Sequence, residues 1–310
     1  MEIVRSLAQK LNITEQEVSS FLASAPLKYK VYKIPKRTSG FRIIAQPSKK
    51  LKEYQRAFIE LFPLACHQAA YAYREGISIK DNALIHKKSK YLLKIDLENF
   101  FNSITNELFW DIWQKNSVLP DLNEKVLLER LLFWSPDKKI SSRLILSVGA
   151  PSSPSLSNFF MYDFDESLSR YCLEKKIRYT RYADDLTFST YEKGILFEIP
   201  DFVSHILRQL FGDKLSINRR KTIFSSKAHN RHVTGVTLSN EESLSIGRQR
   251  KRYIKHLVHQ YLLNKLDQDD VSHLKGLLAF AKHIEPDFLD RLKAKYSDKT
   301  ISQILGERNG

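Results

Sequence analysis

The sequence predicts an α+β fold whose sheet presents paired carboxylates at a strand turn. Three observations carry this. Strand-like and helix-like runs mix without the regular spacing of βαβ units. Tyr91-Leu-Leu-Lys-Ile-Asp-Leu97 is the most strand-like run of the middle region and ends on an acid. Ile177-Arg-Tyr-Thr-Arg-Tyr-Ala183 and Leu186-Thr-Phe-Ser-Thr190 are two β-rich arms around Asp184-Asp185, a pattern that reads as a hairpin with both carboxylates at its tip.

The other elements follow in order. Thr14 with Glu17 three residues on is a capping box, leading into apolar Val18, Phe21 and Leu22, and Pro26 stops that helix. Tyr29 to Ile34 alternates like a strand, Thr38-Ser-Gly40 turns, and Phe41 to Ala45 returns, giving a basic hairpin with Lys33, Lys36, Arg37 and Arg42 along it. Helical spacing is expected over about 51–64 and 107–133. Gly149-Ala-Pro-Ser-Ser-Pro154 is a loop handing over to an apolar helix from Ser155 to about Tyr171. A helix near 200–211, strands near 222–224 and 232–246, and a basic helical tail from about 248 complete the chain. In that tail Tyr253, Ile254 and Leu257 are placed to pack, and a second helix over His273 to Ala281 ends before Pro286.

Composition narrows the partner. Hydrophobic residues make up 42% and charged residues 27% of the 310, as in an ordinary globular protein. No apolar run is long enough to span a bilayer, and the N-terminus lacks a signal-peptide core. Cys66 and Cys172 lie far apart without CxxC spacing, which argues against a disulfide framework or structural zinc and suits a reducing cytoplasm. Fifty Lys+Arg against 35 Asp+Glu leave +15, and from Lys214 onward 19 basic side chains face 10 acidic ones. Such a surplus favours a polyanion, with nucleic acid the commonest, although a solvated basic surface has the same composition.

The acids point to chemistry. Phosphoryl transfer onto a growing strand needs a hydroxyl activated and pyrophosphate charge neutralised, and two divalent ions about 3.5–4 Å apart do both. Hard Mg²⁺ prefers carboxylate oxygens, so a protein supplies two or more acids on rigid neighbouring elements. Asp96, Asp184 and Asp185 meet that need if their strands adjoin. Taken singly, Asp184-Asp185 also reads as polar turn chemistry and Asp96 as a helix cap.

With its β-rich arms, Tyr182-Ala-Asp-Asp185 resembles the palm of reverse transcriptases, a right-hand polymerase fold with fingers, an antiparallel palm sheet carrying the catalytic acids, and a helical thumb. Lys94-Ile-Asp-Leu-Glu-Asn-Phe-Phe101 is similar to that family's first catalytic motif, Gly149 to Asn158 to its template-positioning motif, Leu215 to Thr222 to the segment with a lysine near pyrophosphate, and Arg42 to Pro47 with Gln55-Arg56 to the fingers. The resemblance spans about 27–240. It implies lobes at 1–90 (N-terminal helices and fingers), 91–240 (palm, with fingers helices inserted at about 105–148) and 241–310 (basic helical thumb). It implies two Mg²⁺ ions, with Mn²⁺ as a substitute, on Asp96, Asp184, Asp185 and the Leu97 carbonyl. Phe101 would set its ring under the incoming sugar and exclude a 2′-hydroxyl, with Phe100 in the core. Arg42, Lys221 and Lys36 would meet the triphosphate, Lys36 and Arg37 reading equally as solvated hairpin surface. Gly149, Ala150, Pro151, Ser152 and Tyr182 would position template and primer.

Two boxes narrow the resemblance. Asn82-Ala-Leu-Ile-His86 matches the NAxxH pattern, and Val233-Thr-Gly235 the VTG box, of retron reverse transcriptases. Singly, His86 also reads as a satisfied core histidine and Thr234-Gly235 as a plain turn. The retron resemblance implies RNA recognition by Asn82, His86, Val233, Thr234, Gly235, Arg250, Lys251 and Arg252. It implies a structured non-coding RNA that is both primer and template, DNA started from a guanosine 2′-hydroxyl, and branched RNA-linked single-stranded DNA (msDNA). Further implied partners are dNTPs, a host ribonuclease H and a retron effector protein in phage defence, in the bacterial cytoplasm and away from membranes. The rival readings are a group II intron-like reverse transcriptase, a catalytically idle RNA-binding scaffold, and a metal-dependent nuclease.

Overall fold

The computed structural model describes residues 3–35, 40–116, 120–139 and 143–306. The chain opens with helices α1 (Ile3–Leu11) and α2 (Glu15–Ala23). α2 starts where the sequence places it, because Thr14 Oγ1 accepts the Glu17 amide at 3.2 Å while Glu17 Oε2 accepts the Thr14 amide at 2.8 Å. Strands β1 (Tyr29–Pro35) and β2 (Phe41–Pro47) pair antiparallel from Tyr29↔Pro47 to Pro35↔Phe41. Then come α3 (Lys49–Leu61), capped by Ser48, α4 (Ile79–His86), β3 (Tyr91–Asp96), α5 (Phe100–Ser103), α6 (Asn106–Asn116) and α7 (Leu122–Leu132). The continuous helix expected from Ser155 is instead two, α8 (Ser153–Phe160) and α9 (Tyr162–Glu174). The break falls at Met161, whose ψ of 6° leaves the helical range.

β4 (Arg178–Tyr182) and β5 (Asp185–Thr190) follow, then α10 (Ile199–Phe211), β6 (Ile223–Ser226), β7 (Arg231–Val233), β8 (Val236–Leu238) and β9 (Leu244–Ser245). Helices α11 (Arg248–Leu262), α12 (Gln268–Ile284), α13 (Pro286–Tyr296) and α14 (Asp298–Leu305) end the described chain. Strand order is β4-β5-β3-β6 in a four-stranded sheet and β7-β8-β9 in a three-stranded one. Among the described residues no helix is long and apolar enough to cross a membrane.

The chain divides into two compact units. The first comprises Met1–Glu75, Lys94–Leu186 and Phe197–Ile223. Its core is strongly aromatic: Phe109 meets Trp110, Trp113, Phe133 and Phe159 at centroid separations of 5.6–5.8 Å, and Phe160 stacks on Phe211 at 4.6 Å. Helices α1, α2, α3 and α7 pack together at one end, with Gln55 buried between the Tyr29 hydroxyl and the Leu131 carbonyl. Cys172 is buried in this unit with its thiol pushed up to about 12, and half-buried Cys66 is also raised, desolvation leading in both.

The second unit comprises Gly76–Leu93, Thr187–Leu196 and Phe224–Gly310. One apolar cluster unites it, from Ala83 of α4 and Leu92 through Val233, Val236 and Leu238 to Ile254, Leu257, Leu278 and Phe288. Tyr253, expected to pack, is 46% exposed. It lies at the edge of the face that Ile254, Leu257 and Val258 bury, with its ring 5.9 Å from that of His273 on α12.

Candidate active site

Asp96 closes β3, Asp184 stands in the two-residue turn after β4, and Asp185 opens β5. β3 and β5 adjoin, and the Leu97 amide donates to the Asp184 carbonyl at 3.0 Å, so the three acids share one edge of the first unit. Ala183, beside them in the turn, has φ 57°, a region that costs a non-glycine residue about 1–3 kcal/mol and concentrates at functional sites. Lys221 ends the short 3₁₀ turn Arg219–Lys221, and its Nζ lies 2.9 and 3.0 Å from the two Asp96 oxygens. That turn is fixed by the Asn218 amide on the Asp96 carbonyl at 2.7 Å and the Glu98 amide on the Ser216 carbonyl at 2.9 Å.

Asp184 is raised above its ordinary carboxyl range by desolvation, with the Asp96 charge adding to it. Asp185 is pushed up to about 6 by desolvation and then by Asp184 and Asp96, although one side of it stays open to solvent. The nearby Lys221 charge lowers both acids but does not cancel burial and their mutual repulsion. Among the described residues no three His, Cys, Asp or Glu side chains are gathered as a ready metal site. The donor set still fits a hard divalent ion, for it is carboxylate oxygen on neighbouring strand ends. Lys221 grips Asp96 through both oxygens.

Beside the acids is an open cleft of about 320 Å³ lined by Lys52, Arg56, Tyr73, Phe101 and Gly149–Pro151 among others. Phe100 is buried, whereas Phe101 is half-buried and meets Tyr73 edge-on at 6.4 Å. Tyr73 adopts φ 62°, and its phenol is raised by burial first and by the Asp184 charge second. Arg42 is exposed on β2 and within electrostatic reach of both Tyr73 and Asp184. Lys36 lies outside the described residues. Gly149 has φ 126°, and a Cβ there would stand 3.4 Å from the Ala45 carbonyl. Its segment is stitched to β2, because the Ala45 amide donates to the Val148 carbonyl at 3.3 Å and the Ser147 hydroxyl donates to the Ala45 carbonyl. The glycine therefore serves an approach of backbone to backbone. Ala150 and Ser152 are buried, Ser152 with its hydroxyl unpartnered, while Pro151 and Tyr182 are half-buried.

The residues singled out in the second unit separate into buried and accessible sets. Asn82, Ala83 and His86 recur at i, i+1 and i+4 and form the inward face of α4. Asn82, His86 and Val233 are fully buried, so their side chains offer nothing to a ligand at the surface; His86 Nδ1 instead lies 2.8 Å from Ser189 Oγ. Thr234 and Gly235 have φ 47° and 82° and join β7 to β8 as a two-residue hairpin turn of the type needing positive φ at both positions. Thr234 Oγ1 donates to the Ile79 carbonyl at 3.4 Å, tying this turn to α4. Lys251 is not free for phosphate: its Nζ bonds Glu285 at 2.6 Å. Arg250 lies over the Phe280 ring at 4.7 Å and donates to the Gly235 carbonyl. Arg252 is exposed.

The sequence pattern of the reverse transcriptase (RNA-dependent DNA polymerase) family matches residues 34–238. The chain is 51% identical over 278 residues to the retron Ec83 reverse transcriptase of Escherichia coli, covering 89% of each chain. It is 32% identical to the retron Ec73 reverse transcriptase of Escherichia coli over 94% of this chain and 95% of that one. The chain belongs to the retron reverse transcriptases. The retron reverse transcriptase is thus an RNA-directed DNA polymerase, an enzyme whose partners are nucleic acids and whose family uses divalent metal ions. Its α+β right-hand fold is shared with a foamy viral protease-reverse transcriptase solved with double-stranded DNA, at TM-score 0.50 and 16% identity, covering 91% of this chain and 44% of that longer one.

Two residues of the retron reverse transcriptase's site are not evident from sequence motifs. Tyr73 is in a loop with no pattern of its own. Arg181 is fully buried directly before Tyr182, donating to both oxygens of fully buried Asp165 and at 3.2 Å to the Ala183 carbonyl. The available signal was the alternation of β4, which turns Arg181 to the face opposite Tyr182.

Proposed function

We propose that this retron reverse transcriptase copies one structured RNA, both primer and template, into branched RNA-linked single-stranded DNA begun at a guanosine 2′-hydroxyl. The observation carrying the retron-specific part is that the two boxes meet in one unit, the inward face of α4 against the β7–β8 turn through Thr234 and Ile79. The boxes then act as a frame holding Thr234, Gly235, Arg250 and Arg252 at a surface for RNA, with Asn82, His86 and Val233 inside it. In the proposed division, fingers lie at 1–90, palm at 91–240 and thumb at 241–310.

Two Mg²⁺ ions, replaceable by Mn²⁺, held by Asp96, Asp184, Asp185 and the Leu97 carbonyl would supply hydroxyl activation and charge neutralisation. The chain's own groups do the rest. Lys221 leaves Asp96 and becomes available to the departing pyrophosphate, a compact ammonium suited to a phosphate oxygen. Arg42 and Lys36 bind the triphosphate. Phe101 walls the sugar and rejects a 2′-hydroxyl. Gly149, Ala150, Pro151 and Ser152 shape the backbone against which the template base rests, and Tyr182 borders the primer end. In the cell a ribonuclease H trims the template, and a retron effector protein completes a phage-defence system in the cytoplasm.

The test is the nucleic acid that co-purifies when the protein is expressed with its native upstream locus. A short DNA joined to RNA through a 2′–5′ bond, removed by a debranching enzyme and missing in Asp184→Asn/Asp185→Asn, is expected. Extension of ordinary primed RNA without a branched product would remove the 2′-hydroxyl priming.

A further inference from the structure

Besides the Leu97 amide on the Asp184 carbonyl, the turn between β4 and β5 is held from behind by a buried network. Arg181 and Asp165 are both completely buried, and their charges meet at 2.6 Å. Asp165 Oδ1 also accepts the Tyr179 hydroxyl at 2.7 Å. The Arg181 Nη1 group points the other way, to Asn158 Oδ1 and the Ala183 carbonyl, both at 3.2 Å. Asn158 in turn donates to the Ala72 carbonyl at 3.0 Å. The Arg181 backbone holds the same loop, its amide on the Ala69 carbonyl and its carbonyl on the Tyr71 amide, both at 2.7 Å. One guanidinium plane therefore ties α8 and α9 to the residue before Asp184, and the same residue's backbone fixes the loop bearing Tyr73.

An internal ion pair is an expensive way to gain stability, because the desolvation of both charges offsets much of their attraction. What a fork of fixed N–H groups provides better than apolar packing is direction. Ala183 is the place where direction is needed, since its positive φ is unfavourable for alanine and persists only if the surroundings over-determine it. The Ala183 carbonyl belongs to the peptide that continues into Asp184, so its partner orients that peptide.

We infer that Arg181, held by Asp165, is a positioning residue for the polymerase reaction, setting the Ala183–Asp184 peptide and with it the placement of the two turn carboxylates. This rests on the reading of Asp184 and Asp185 as the catalytic pair. Misplacing reacting groups by about 1 Å costs on the order of 10²-fold in rate.

The experiment compares Arg181→Lys and the apolar pair Asp165→Leu/Arg181→Met with wild type and with Asp184→Asn/Asp185→Asn. Readouts are circular dichroism and Tm, kcat and KM for dTTP on primed poly(rA), and Mn²⁺ binding without nucleotide by electron paramagnetic resonance. Removing both charges together spares the fold the cost of a lone buried ion. The folded variants are expected to lose roughly ten- to a hundredfold in kcat, with KM little changed and Mn²⁺ bound more weakly. A folded pair variant with wild-type kcat and Mn²⁺ affinity overturns the inference. If the pair variant does not fold, Arg181→Lys decides on the same readouts, because lysine keeps the charge and loses the fork. Activity surviving in Asp184→Asn/Asp185→Asn would instead overturn the assignment of the acids.

Discussion

At Phe101 the proposed sugar gate can be tested apart from packing. Phe100 fills the core and Phe101 faces the cleft with Tyr73, so shortening Phe101 should widen the pocket without unfolding the unit. Phe101→Val is expected to raise ribonucleotide incorporation, read by alkali-sensitive products, with Tm within a few degrees of wild type; unchanged sugar selectivity would return Phe101 to packing alone. The acids predict a pH dependence. Asp185 moves from 3.8 to about 6 on folding, so the folded state binds more protons between those values. Its contribution is present below about pH 4 and is lost as pH rises through about 6. Metal-free Asp185→Asn should therefore have a higher Tm than wild type at pH 7. Mg²⁺ should raise the wild-type Tm more than that of the variant, since a ligand stabilises the state that binds it. These acids, Lys221 and Phe101 were legible because each lies in a short motif of its own, although Asp96 and Lys221 stand 125 residues apart. Arg181 and Tyr73 were not, because no such motif marks their roles, which show only in the folded contacts with Asp165, Asn158 and Phe101.

Among the elements, α11 shows where periodicity stops being informative. Its basic run was readable, but which cations face solvent depends on α12 and α13. Glu285, between those helices, accepts from Lys251, Arg291, Ser245 and the Ile246 amide. Burial works against its charge, yet these donors hold its carboxyl below the ordinary range. Lys251→Met should thus cost about 1.5–3 kcal/mol of stability, the usual range for a charged hydrogen bond. Arg252→Glu should leave Tm unchanged and weaken binding of the cognate RNA. Equal effects of the two substitutions on Tm would mean that Lys251 is not structurally committed. The same limit explains α8 and α9, whose apolar pattern runs on across Met161 although the backbone does not. By contrast, the α2 capping box and the β7–β8 turn were readable because they depend on residues two or three positions apart.

Across the whole molecule, fold class and family were legible and the division into compact units was not. The two units are built from interleaved chain segments whose limits fall inside β3, β5 and β6, so no single cut along the sequence separates them. Net charge is a property at this scale, and +15 predicts binding dominated by phosphate contacts. If about six or more phosphates are neutralised, affinity for RNA should fall about 10³-fold or more between 50 and 200 mM salt. A shallow dependence in a filter-binding titration would mean that the positive charge is spread away from the RNA.

The two thiols have a practical use. Cys172 is buried with its thiol near 12, and Cys66 is raised too, so both are nearly all thiol at neutral pH, while alkylating reagents attack the thiolate. A new cysteine at Phe41, which is 62% exposed at the start of β2, would react with maleimide far ahead of either. The natural sequence thus already serves as the quiet background for attaching a dye to the β1–β2 hairpin and following it, molecule by molecule, as nucleotide arrives.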